Sequence, residues 1–345
     1  MDAFVKYAKG PGQAEVRSEP EPKAGPGEVL VSVAACGICG SDLHALNSDP
    51  GFEWVEPPRI MGHEFAGTVE ALGDGVTGVA EGELVAAVSL QGCLRCGVCR
   101  SGATQLCARR QVIGLSYDGG IAERVVLPAT HLVPVPAGLD PRDAALAEPL
   151  SVAVHAVLGR TSITPGDRVV VSGPGPIGLF CGQLAQHSGA DVLMVGTDAD
   201  RSRRLPLAAQ LGMRTADAGD LEGPDDVRAA LDGHAPDGWI EASGAGAALL
   251  SAFSSVRRAG TVTVVSLFAG PVTFLPTDAV RTELSVDFSY ASSYNDYVRA
   301  LDLLAGGHVT SSGLVDVYPL ADAGTAFAAA TQGRAVKPLI VPGTT

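Results

Sequence analysis

The chain has 345 residues, 46% hydrophobic and 18% charged, with a formal net charge of −14. That length leaves room for about two domains with sizeable cores, and the acidity argues against a nucleic-acid partner, which would require a basic face. The N-terminus MDAFVKYAKG lacks a basic segment followed by an apolar core, and the most apolar run, residues 260–275, is broken by Gly270 and Pro271, so neither a secretory signal nor a membrane span is expected. The expected compartment is the cytoplasm, where thiols stay reduced and clustered cysteines are metal ligands more often than disulfides.

Residues 1–150 are rich in Gly, Pro and short β-branched runs such as EVLVSVAA (28–35) and AERVVLPA (122–129), a pattern of short strands joined by turns. Around residue 150 the texture changes. DRVVVSG (167–173), DVLMVG (191–196), GWIEASG (238–244) and GTVTVVSL (260–267) read as strands, with LFCGQLAQHSGA (179–190) as a helix between the first two. Alternating strands and helices predict a doubly wound parallel sheet over 151–290. A helix at DYVRALDLLAGG (296–307) and further short strands then complete the chain to 345.

The stretch GCLRCGVCRSGATQLC (92–107) places Cys93, Cys96, Cys99 and Cys107 at the spacing C-x2-C-x2-C-x7-C. Four thiolates so spaced close around a tetrahedral zinc and leave no position for water or substrate, which predicts a structural ion. A redox C-x-x-C would leave two of the four unexplained. A second, scattered set comprises CGICGSDLH (36–44), His63 and Glu64 in MGHEFAG (61–67), and Glu148 in ALAEPL (145–150). Few ligands, far apart, with one coordination position open, is the pattern of a catalytic zinc. The residues alone leave Cys36 and Cys39 as competing ligands. Cys181 reads as core.

GPGPIG, Gly173 to Gly178, closes one predicted strand and opens a helix. In that context Gly173 permits a tight turn, Gly175 lets a pyrophosphate approach the backbone, and Gly178 lets helix and strand pack closely. Together with Pro176 and Ile177, they form a candidate dinucleotide site at a helix N-terminus.

Taken together, GICGSDLH (37–44), GHEFAGTVEALGDGV (62–76), the four-cysteine lobe, ALAEPLSVAVHA (145–156) and GPGPIG resemble the zinc-containing medium-chain alcohol dehydrogenases, in particular the polyol and threonine dehydrogenase branch. The motifs cover the first half densely; the last third fits in pattern more than in motif. The resemblance implies an α/β chain with three parts. These are a GroES-like, mainly-β catalytic domain over 1–150, a Rossmann domain over 151–290, and a return to the catalytic domain over 291–345. It selects Cys39, the cysteine followed by x-Ser-Asp, as catalytic ligand. It implies His63 as the second ligand, Glu64 as ligand or adjacent carboxylate, and Glu148 as ligand directly or through water. Asp42 would orient His63, and Ser41 would take the substrate proton and pass it outward to His44. Two zinc ions per chain and NAD or NADP are implied, with a small alcohol, polyol or matching ketone as substrate.

The loop LNSDPGFEWVEPP (46–58) carries Phe52 and Trp54 as candidates for lining the substrate pocket. Arg124 stands where the family often has Tyr and is expected near the pocket rim. A homodimer or homotetramer is implied, with ELSVDFSY (283–290) as the edge strand continued across a two-fold axis. Aligned without gaps, Gly196 falls where the family usually places the carboxylate that rejects a 2′-phosphate. Thr197, Asp198 and Arg203 then become the candidates that choose between NAD and NADP. A ketone reductase of a specialised pathway, or a non-catalytic zinc and nucleotide binder on the same fold, are the competing readings.

Overall fold

The computed structural model describes residues 1–343. The chain divides into two compact units. One is Met1–Ser151 with the segment from Ser292 onward, and the other is Val152–Ala291.

The first unit is built on a seven-stranded sheet. Its long central strand, Glu28–Gly37, alternates Val29, Val31, Val33 and Ala35 into the interior, as a half-buried strand should. It pairs antiparallel with Glu64–Leu72, with Arg124–Pro128 and with Lys337–Val341. The register sets Gly37 opposite Glu64 on one side and opposite Leu339 on the other. The ends of three strands therefore meet at one place: the end of Glu28–Gly37 and the starts of Glu64–Leu72 and Lys337–Val341. Gly37 is required there, because a Cβ would fall 3.0 Å from Lys337 Cε and crowd the Glu64 carboxylate. A short ribbon, Leu90–Gln91 against Gln111–Val112, carries the cysteine lobe as the excursion between its strands.

The second unit is a six-stranded, wholly parallel sheet. Its order is Arg214–Asp217, Asp191–Gly196, Arg168–Ser172, Gly238–Glu241, Thr261–Val264, Ser285–Phe288. That is the 3-2-1-4-5-6 order of a dinucleotide-binding sheet. Buried on both faces, its inner strands read as continuous apolar runs, for instance VVV at 169–171. The helix after the first strand starts at Pro176, three residues before the expected 179, because Pro is favourable at a first helical position with its φ preset and no N–H to satisfy. No helix among the described residues is long and apolar enough to cross a membrane.

Candidate functional site

Cys39 caps the helix Gly40–Asn47, directly beyond the end of the central strand. His63 precedes Glu64, the first residue of the neighbouring strand. Antiparallel pairing therefore brings Cys39, His63 and Glu64 together, with ligand atoms within 4.8 Å of one another. His63 is 4% exposed and Glu64 1%. Asp42, fully buried, accepts the Cys39 N–H at 2.9 Å. Its other oxygen lies 3.4 Å from His63 Nδ1, close but long for a good hydrogen bond. Burial works against a charged imidazole, yet Asp42 and the Cys39 thiolate outweigh it and hold the His63 pKa well above its usual value. A soft thiolate, an imidazole and a carboxylate in a pocket that favours positive charge form a donor set suited to zinc.

Glu148, in the first turn of the helix Ala147–Arg160, stands outside this tight group. It is still near enough to feel its charges. Burial and the Glu64 carboxylate push its pKa up, while His63, a hydrogen bond from Ser89 and Lys337 pull it down. Ser41 Oγ lies 3.3 Å from His63 Nε2. His44 is exposed, stacks on Phe52 at 5.3 Å, and sits 2.7 Å through Nδ1 from Asp49. Among the described residues no hydrogen bond joins Ser41 to His44. Phe52 in turn stacks on Trp54, whose indole N–H donates to Gly51 O at 3.0 Å. The Arg124 guanidinium is engaged by Glu70 at 2.8 Å and Glu21 at 3.5 Å, in exposed ion pairs. Cys36 is fully buried, and burial foremost keeps its thiol protonated. Cys181 is likewise buried and pushed up to about 12.

Lys337 was not singled out from the sequence. It is 2% exposed, forms an ion pair with Glu64 and donates to Ile38 O at 3.0 Å. Burial opposes its charge, but Glu64 and Cys39 hold it in the ammonium form. No motif surrounds it. Only the strand register, which starts Lys337–Val341 beside Gly37, reveals it.

In the lobe, Cys96 and Cys99 sulfurs are 3.5 Å apart, Cys96 and Cys107 3.8 Å, and Cys93 and Cys99 4.0 Å. None of these four cysteines is in a disulfide. Tetrahedral Zn–S bonds of about 2.3 Å set sulfurs roughly 3.8 Å apart, so the lobe fits one ion closely. Backbone amides favour the thiolates. The Arg95 amide holds the Cys93 pKa down to about 5, and the amides of Cys93 and Arg109 lower that of Cys107.

In the second unit, Gly173 has φ +95°, and a Cβ there would strike Ser243 Cα at 2.7 Å. A Cβ on Gly178 would overlap the Gly173 carbonyl oxygen. One on Gly175 would meet nothing within 4 Å. Two glycines are thus needed for packing, and the third opens a space at the N-terminus of the helix Pro176–His187, with Pro176 and Ile177 in its first turn. An open helix N-terminus of this kind has the free N–H groups that could hold a phosphate. Gly196 does end the second strand, packed by Leu205, Pro174 and Asp200 around the position of a Cβ. The hydroxyl and amide of Thr197 both donate to Asp200. Asp198 is exposed and 3.4 Å from Arg201, which also pairs with Asp217 at 2.7 Å. Arg203 caps the helix Arg204–Gln210.

The family model described as an alcohol dehydrogenase GroES-like domain matches residues 25–137, and that of a zinc-binding dehydrogenase matches 176–306. The chain is 36% identical to the sorbitol dehydrogenase of Halalkalibacterium halodurans over 346 residues, 99% of each chain. It is 33% identical to an L-threonine 3-dehydrogenase of Bacillus licheniformis over 350 residues, again 99% of each. Among solved structures, a zinc-binding dehydrogenase of Sinorhizobium meliloti bound to NADP superposes with TM-score 0.89 at 30% identity, covering 99% of both chains. Sequence likeness along the whole chain thus agrees with the strand order and the two ligand clusters: this chain belongs to the zinc-containing medium-chain alcohol dehydrogenases, near the polyol and threonine dehydrogenases.

Proposed function

We propose that the chain catalyses reversible hydride transfer between a secondary alcohol or polyol and NAD or NADP at a zinc site formed by Cys39, His63, Glu64 and Glu148. The observation that carries this reading is the convergence of thiolate, imidazole and carboxylate at the meeting of three strand ends. When bound, zinc supplies Lewis-acid polarisation of the substrate oxygen, and the dinucleotide carries the hydride. Ser41, beside His63, takes the hydroxyl proton and gives up its own; with no direct hydrogen bond to His44 among the described residues, water carries that proton to His44, which is exposed and paired with Asp49. Lys337 balances the charge of Glu64. Cys93, Cys96, Cys99 and Cys107 hold a structural ion. Gly173, Gly175, Pro176, Ile177 and Gly178 receive the pyrophosphate.

The chain works in the reducing cytoplasm as a homodimer or homotetramer. Ser285–Phe288 is the sheet-edge strand, and Phe288 is 70% exposed, an apolar edge that needs cover. Because Gly196 lacks a carboxylate, Thr197, Asp198 and Arg203 shape a site that does not strictly exclude a 2′-phosphate. The test is a screen of polyols, amino alcohols and ketones by absorbance of the reduced nicotinamide. It is followed by kcat/KM with both cofactors on the best substrate. No turnover of any of these with zinc loaded overturns the proposal. A preference for NAD above about a hundredfold, roughly 2.7 kcal/mol, overturns the cofactor part.

A further inference from the structure

Three side chains from distant parts of the chain share one set of hydrogen bonds. Ser89 Oγ donates to Glu148 Oε1 at 2.7 Å. The Tyr297 hydroxyl donates to Ser89 Oγ at 3.1 Å and accepts the Ser89 backbone N–H at 2.9 Å. Ser89 is 5% exposed and Tyr297 1%. The ring of Tyr297, on the helix Tyr294–Ala305, packs among Ala35, Ala66, Ala144, Leu301 and Leu339. A phenol in such a core is unfavourable unless its hydroxyl is paired.

Within the triad the donors fit one arrangement, with the Ser151 hydroxyl a further partner of the phenol. The Glu148 carboxylate can only accept, so the Ser89 proton must point at it. Ser89 Oγ then has lone pairs for the phenol proton, and the phenol oxygen is left to take the Ser89 amide. Every donor in the triad is satisfied. Burial, and then the charge of Glu148, raise the Tyr297 pKa well above its usual value, so the phenol keeps its proton as a donor. Among the described residues the Glu148 carboxylate accepts only this one hydrogen bond, at Oε1, while the residue's backbone carbonyl accepts the Ser151 hydroxyl at 2.7 Å. Oε2 accepts none, and Glu148 is only half-buried.

We propose that Ser89 and Tyr297 are positioning residues that tether Oε1 of Glu148 and so fix where Oε2 is presented to the site of Cys39, His63 and Glu64. This rests on the assignment of Glu148 to that site. Alone, the carboxylate would sample several rotamers. With Oε1 tied to a serine whose own amide is tied to a buried phenol, it keeps one. Partners that orient a metal ligand typically contribute 10- to 100-fold to affinity or activity, roughly.

The test uses the full chain with cobalt(II) exchanged for zinc, whose visible bands report ligand geometry independently of turnover. Ser89→Ala is expected to shift those bands. It should also weaken metal retention at the Cys39 site against a chelator by about tenfold or more, with the lobe ion unaffected. Ser89→Thr, which keeps the hydroxyl, should restore both. Tyr297→Phe, checked for folding by circular dichroism, should fall between them. If Glu148→Gln perturbs the cobalt spectrum and Ser89→Ala leaves it unchanged, the clamp is wrong and the Glu148 assignment stands. If Glu148→Gln itself changes neither spectrum nor retention, both fall.

Discussion

In the lobe, four identical ligands lie between residues 93 and 107, and their sulfurs already stand at the spacing of a filled tetrahedron. In the other cluster, three different ligands come from the ends of two strands, Cys39 beyond one and His63 with Glu64 at the start of the other, and a fourth candidate, Glu148, stands on a helix. The first is held by its own short loop: the Cys93 amide donates to Cys107 Sγ at 3.4 Å and the Arg109 amide to the same sulfur at 3.3 Å. The second is held by the whole sheet, through Gly37, Glu64 and the buried ammonium of Lys337. A local, closed site can stabilise its loop but has no room for a substrate. A site assembled from distant residues depends on the fold and retains an open position.

Removing one ligand from each cluster separates the two sites most clearly. Cys39→Ala should lower kcat/KM by about a thousandfold or more, roughly 4 kcal/mol of transition-state stabilisation. Zinc should fall from two ions to one per chain, with the melting temperature almost unchanged. Elemental analysis beside a melting curve decides. One zinc in the intact chain, or a collapse of the fold in the variant, would erase the distinction between the two sites.

Cys99→Ala should do the reverse. It removes the ion that closes the loop from Cys93 to Cys107, a cross-link worth about 3 kcal/mol by chain entropy. The melting temperature should drop by roughly 5–10 °C, while the Cys39 site keeps its zinc. Retained thermal stability with one zinc lost would show that the lobe is dispensable.

The same contrast decides what was legible in the sequence. The lobe's ligands are neighbours in the chain, so spacing alone suggests them. GPGPIG was readable for a similar reason: a strand, three glycines and a helix start form one local unit, and Gly173 and Gly178 are fixed by contacts that leave no space for a Cβ. Cys39 could be separated from Cys36 only by resemblance, since both occupy one short motif and burial, invisible in the sequence, distinguishes them. Lys337, Ser89 and Tyr297 carry no local signal at all. They matter because of partners up to 299 residues away, which only the register of the sheet brings together. The relay from Ser41 to His44 comes from resemblance alone; in the structure His44 Nδ1 lies 2.7 Å from Asp49, a contact that no spacing in the sequence announces.

Acid strips metal from both clusters and also loosens the framework of the lobe. His131, 2% exposed, ends the turn Ala129–His131 beside the lobe's ribbon; its Nδ1 is 3.0 Å from the Tyr117 hydroxyl. Burial depresses its pKa to about 4, against an ordinary 6.5. Between those values the unfolded chain binds a proton that the folded chain does not, so stability falls as pH falls from about 6.5 toward 4. By pH 5 the loss is about 2 kcal/mol. His131→Asn should lack this slope. Unfolding of both chains at pH 7.5 and pH 5.0 measures it, since metal loss common to both cancels in the difference. Parallel slopes would mean that His131 is protonated without penalty.

The smallest effect concerns how the closed site holds its ion. Four thiolates around zinc carry an excess of negative charge, and the Arg109 guanidinium donates to Cys93 Sγ at 3.2 Å. A cation there favours the thiolate form, and the thiols in turn raise the guanidinium's own pKa, the Cys93 hydrogen bond first among the causes. The group is open to solvent, so water and salt screen most of the attraction. The amide of the same residue, bonded to Cys107, survives any side-chain change. Arg109→Gln should therefore speed release of the lobe zinc to a chelator only about two- to fivefold at low salt, and the difference should vanish near 1 M salt. Release would be followed with a colorimetric dye in two phases, fast from the open cluster and slow from the lobe; only the slow phase should move. If it does not move at low salt, the backbone amides alone hold the loop. If it accelerates a hundredfold, the lobe is no longer a self-sufficient local site, and the contrast with the strand-built cluster narrows to its ligand types.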